Sequence, residues 1–134
     1  MLMKPFPANL IRWVVVAVIL LAAPAPAGKD DATAVAMRRK LKHAEKILPG
    51  LASHDFPMLE TNAGKLVELS RGSGWLARQT PEYALFLTEF QRAASELAKA
   101  AAAKDIDGAT AAYNAVTTSC VACHKYIRGD AAKN

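Results

Sequence analysis

The sequence predicts an all-α protein: an antiparallel four-helix bundle over residues 28–134. Three observations carry this expectation. Alanine-rich stretches hold their charges at helical spacing, with few β-branched runs that would favour strands. Four amphipathic segments each begin near a capping residue, and three of them close near a glycine. Two of the connections are short and one is longer, which makes successive helices antiparallel neighbours. No repeat of solenoid period is present.

Residues 1–27 read as an export signal. Lys4 and Arg12 supply the positive region, Trp13 to Ala23 an apolar run, and Ala25-Pro26-Ala27 a small-residue cleavage pattern. The run is shorter than the roughly 20 residues a spanning helix needs. The expected location is the periplasm, with no stable membrane insertion once the signal is removed. The alternative is an uncleaved anchor starting at Leu10, which would tether the domain facing the periplasm.

Asp30 or Asp31 caps a first helix from about Ala32 to Leu48, with Pro49-Gly50 as its stop. Met37, Leu41, Ala44, Leu48 and Leu51 form its inward stripe, and Arg38, Arg39, Lys40, Lys42, Glu45 and Lys46 take the rest of the surface. A second helix starts near Pro57, after Asp55 or Phe56, and runs to about Arg71. Gly72 to Thr80 is the longest connection, with Trp75 packed beneath it. Thr80-Pro81-Glu82 opens the third helix with a capping hydroxyl, a proline at the first position and an acid in the first turn. That helix reaches about Ala103 and buries Tyr83, Phe86, Leu87, Phe90, Ala94, Leu97 and Ala101. After a tight turn, Asp105 or Asp107 caps the fourth helix, from about Ile106 to Ile127, closed by Gly129.

The end of this last helix carries Cys120-Val121-Ala122-Cys123-His124, and these are the only two cysteines in the chain. Cys-x-x-Cys-His is the attachment signature of c-type haem. The thiols add across the vinyl groups of the porphyrin, and the imidazole reaches the iron from one face. On a helix Cys123 lies about 60° to one side of Cys120 and His124 about 40° to the other, so all three share a wide face. A redox dithiol is expected beside a βαβ pattern, which is absent here. A zinc site would need a second Cys/His pair at ligand spacing. A disulfide across two intervening residues would be strained. The motif therefore predicts one covalent haem c held in the bundle core. For the opposite side of the iron, Met37 is the candidate on the inward stripe, although methionine also serves as ordinary core filler. His43 lies about 120° round the helix from Met37 and reads as solvated. Met58 sits at the bundle end and His54 in a loop.

A Cys-x-x-Cys-His motif at the C-terminal end of the last of four helices resembles the class II c-type cytochromes, the cytochrome c-prime group and its low-spin His/Met relatives. The mitochondrial type instead has its motif near the N-terminus. The resemblance covers about residues 31–128. It implies that Cys120 and Cys123 bind the haem and that His124 is the proximal iron ligand. It also implies that Arg128, four residues beyond the histidine, lies close to a haem propionate. Ile127 departs from the pattern, because an aromatic usually precedes the basic residue; Tyr126 stands one place earlier. Low-spin members ligate the iron with a methionine of the first helix, which points to Met37 as the sixth ligand. High-spin members leave that position open behind an apolar side chain.

The expected function is that of an exported electron carrier, since a filled iron changes redox state with little rearrangement. The alternative is a five-coordinate haem protein that binds nitric oxide or carbon monoxide. An enzyme such as a peroxidase would need polar acid/base groups beside the iron, and the inward stripe of the first helix shows none next to Met37. Lys and Arg outnumber Asp and Glu by 17 to 12, and without Lys4 and Arg12 by 15 to 12. That mild excess gives no ground for nucleic-acid binding and suits acidic redox partner proteins, which Lys125 and Arg128 are placed to draw. A homodimer through the outer faces of two helices is compatible with the pattern, although no clear exposed apolar stripe marks it. A core of this size gains much of its buried surface from the haem. The haem-free chain is accordingly expected to be poorly ordered; a cooperative thermal transition like that of the haem-loaded protein would contradict this.

Overall fold

The computed structural model describes residues 29–72 and 80–129, with side chains from Ala32 onward. The export signal at residues 1–27, Trp75 and most of the long connection lie outside the described residues. The described chain is helical, with α1 at Lys29–Ala44, α2 at Ile47–Ser53, α3 at Phe56–Arg71, α4 at Pro81–Ala102 and α5 at Ile106–Ile127. Four of these are long and make the expected all-α four-helix bundle. The short α2 is an addition to it.

The extra helix arises from Pro49. A continuous first helix would need an N–H at residue 49 to bond the carbonyl of Glu45, and the proline ring would clash with that carbonyl. The chain therefore breaks at Glu45 and Lys46, and Lys46 N–H turns back to the His43 carbonyl at 3.2 Å. Pro49 falls in the first turn of α2, where its missing N–H costs no hydrogen bond. Pro49-Gly50 is thus inside a helix rather than at a stop. The break also resets the face: Ile47 and Leu51 are buried, whereas Leu48 is 60% exposed. His54 ends α2 in the left-handed region at φ 55°, and its N–H bonds the Leu51 carbonyl.

The other boundaries follow local chemistry. Asp55 accepts from Met58 N–H at 2.9 Å, Thr80 from Tyr83 N–H at 3.2 Å and Asp105 from Gly108 N–H at 2.9 Å. Each satisfies a donor that a helix start leaves open, worth about 1 kcal/mol. Lys104 takes φ 56° in the three-residue connection before α5, and Gly129 closes α5 at φ 76°.

The most extensive packing joins α4 to α5 and α3 to α4. The α4–α5 seam is built largely of small side chains, with Ala94, Ala101 and Ala109 almost fully buried around Leu97 and Val116. Small residues let the two helices approach closely. α2 bridges α3 and α5, where Ile47 and Leu51 complete the core. At the far end of the α4–α5 pair, Thr80 Oγ1 lies 2.9 Å from the Tyr126 hydroxyl, and the Tyr126 ring packs on Phe86 with centroids 5.4 Å apart. Tyr126 thereby fastens the last turn of α5 to the first turn of α4, although the neighbouring position is the aliphatic Ile127.

Two glycines predict opposite effects, to be read as urea midpoints of the haem-loaded protein. A Cβ at Gly64, exposed and mid-helix in α3, meets nothing within 4 Å. Gly64→Ala is expected to stabilise by about 0.5–1 kcal/mol. A Cβ at Gly50 would stand 2.8 Å from Cδ2 of Leu59, which is fully buried, so Gly50→Ala lowers the midpoint. Tyr126→Phe removes the bond to Thr80 and should cost about 1 kcal/mol in the same measurement.

Candidate functional site

α1 and α5 face one another across a cavity of about 280 Å³. Its volume lies near the lower end of the roughly 300–1,000 Å³ usual for small-molecule sites. Met37, Lys40, Leu41 and Ala44 of α1 form one wall, with Phe86, Leu87 and Phe90 of α4 at the back. Cys120, Cys123 and His124 of α5 form the opposite wall. Leu41 is 59% exposed overall, yet its side chain lines this cavity. Met37, Leu41 and Ala44 of the expected inward stripe therefore face the cavity, whereas Leu51 joins the packed core.

Cys120, Cys123 and His124 share the cavity because they share a helix face near the C-terminus of α5. Both thiols are half-buried, and no disulfide joins them. Burial pushes both thiols up from their ordinary range, an effect that the charge of Lys40 partly opposes. Redox dithiols work through a lowered thiol pKa, so this environment does not favour that chemistry. Among the described residues, no three His, Cys, Asp or Glu side chains converge as ligands for a metal ion. The donor set is of the kind that can attach a flat, largely apolar group. Two thiols, one imidazole and one thioether open onto a single cavity whose walls are mostly aliphatic and aromatic. These residues fit a haem c.

The other candidates fall elsewhere. His43 is half-buried rather than solvated: its Nδ1 donates to Asn62 Oδ1 at 3.0 Å, and Asn62 Nδ2 donates to the Met58 carbonyl at 2.8 Å. This pairing ties α1 to α3 and turns the imidazole away from the cavity. Met58, at the start of α3, and His54, at the end of α2, are not among the cavity-lining residues. Arg128 is exposed at the C-cap of α5 and is likewise not among them.

Lys40 is the residue that sequence reasoning misplaced. Its charge sets it with the surface charges, but it lines the cavity with its Nζ 3.8 Å from the centroid of the Phe90 ring. Burial lowers its ammonium to about 8, against the opposing pull of Cys120 and Cys123. The signal was available in the spacing: three residues after Met37 is about 60° round the helix, on the same broad face. The expectation that no polar group stands beside Met37 is corrected by this lysine.

No helix among the described residues is long and apolar enough to cross a membrane. Neither the curated proteins nor the solved structures gave a match. Residues 75–128 match the family model described as Cytochrome C'. That segment holds α4, α5 and the whole Cys120 to His124 motif. The match is consistent with a class II c-type cytochrome of the cytochrome c-prime type, a family that implies binding of haem c.

Proposed function

We propose that this protein is an exported electron carrier in which Cys120 and Cys123 hold a single haem covalently. In this reading His124 and Met37 are the two axial ligands. The observation that carries it is that Met37, on the first long helix, and the Cys-x-x-Cys-His motif, on the last, line the same cavity. The haem, when bound, supplies a one-electron couple at its iron.

The chain's own residues hold and tune that couple. Cys120 and Cys123, as thioethers, would fix the macrocycle against α5. Tyr126, tied to Thr80 and packed on Phe86, holds the turn that presents His124. Leu41, Leu87 and Phe90 give the cavity an apolar lining, and an apolar surround with a thioether ligand raises the potential. Two filled axial positions favour electron transfer over substrate chemistry, so the protein is read as a carrier rather than an enzyme. Arg38, Lys125 and Arg128 are exposed near the motif end and suit an acidic redox partner. Export to the periplasm accords with haem attachment, which takes place outside the cytoplasm in c-type cytochromes.

The test is the absorption spectrum of the exported haem-loaded protein, ferric and ferrous, with and without carbon monoxide. Sharp low-spin ferrous bands unmoved by carbon monoxide are expected. A ferric thioether–iron band near the red end should disappear in Met37→Ala. A high-spin spectrum with ready carbon monoxide binding would remove Met37 from the iron. Gas binding behind the apolar wall of Leu41 and Phe90 would then be the better reading.

A further inference from the structure

We propose that Lys40 is a second donor for the distal side of the iron, binding through its amine when the thioether of Met37 is not bound. This rests on the reading of the cavity as a haem site with His124 on the proximal side.

The placement supports it. Lys40 and Met37 project from one face of α1 into the cavity that also receives His124 from α5. Lysine side chains usually carry their head group out to water. Here Nζ instead lies over the Phe90 ring, inside the apolar wall. The other ionisable groups lining the cavity are Arg38 on the same helix, Tyr83 on α4, and Cys120, Cys123 and His124 on α5. The lining residue from α3, Leu66, is apolar.

The chemistry is that of ligand exchange without electron transfer. In such an exchange the Met37 sulfur would leave the iron, the ammonium of Lys40 would give one proton to solvent, and its nitrogen lone pair would take the vacated position. Burial already brings the neutral amine within reach, lowering the ammonium to about 8. The two thiols that oppose this lowering would be uncharged thioethers once haem is attached. A thioether is a soft donor and an amine a harder one, so the exchange is favoured in the ferric state.

The experiment is electron paramagnetic resonance of the ferric haem-loaded protein, comparing Met37→Ala with Met37→Ala/Lys40→Arg. Arginine keeps the charge and the contact with Phe90 but has no nitrogen that deprotonates to bind iron. The single variant is expected to remain low-spin with an amine-type signal, and the double variant to become high-spin. A single variant that is already high-spin, or a double variant with an unchanged signal, would overturn the proposal. The wild type separates this inference from the Met37 reading. If the wild-type ferric protein lacks a thioether–iron band but shows a low-spin amine signal that Lys40→Arg abolishes, Lys40 stands and Met37 falls. If Lys40→Arg changes neither the wild-type signal nor that of Met37→Ala, Lys40 falls whatever becomes of Met37.

Discussion

The close α4–α5 seam is the interaction on which the rest of the molecule depends. α5 has to satisfy two neighbours at once. One side packs through Ala109, Ala112 and Val116 into the core, and the side bearing Cys120, Cys123 and His124 borders the cavity. Small side chains at the seam let α4 hold α5 tightly without bulky groups reaching round toward the motif. The Thr80–Tyr126 pair then fixes the end of the helix where the motif lies. With α5 held in this way, α1 is free to stand across from it, and the space between them becomes a site rather than core.

Much of this was legible in the sequence because it is local chemistry. Asp55, Thr80 and Asp105 cap helices as side chains of their type do, and proline at the start of α4 agrees with the fixed φ of that residue. The Cys-x-x-Cys-His spacing marks one face of a helix whatever the surrounding fold. Pro49 was recognised as a breaker, but the break lies four residues earlier, at the carbonyl that the proline cannot serve. That displacement moved Leu48 outward and Ile47 inward.

Tertiary context was not legible in the same way. Lys40 was assigned by its charge to the solvated face, whereas its long apolar stem lets the head group cross a boundary of the helix wheel and settle on Phe90. His43 was read as solvated because its sequence neighbours are charged, yet its partner Asn62 belongs to a different helix. Both errors came from judging a side chain by its own helix alone. The family match has the converse limit. It covers α4 and α5, which carry the haem-binding motif, and it stops short of α1, which carries Met37 and Lys40. The identity of the distal ligand thus rests on the geometry of the cavity.

The proposed reading makes a simple chemical statement about the iron that this cavity would hold: nitrogen from His124 on one side and sulfur from Met37 on the other. Iron K-edge X-ray absorption of the exported, haem-loaded ferric protein reads the first coordination shell directly. One sulfur scatterer in that shell, absent from Met37→Ala, is the predicted result. A shell of nitrogen or oxygen donors alone in the unmodified protein would contradict it.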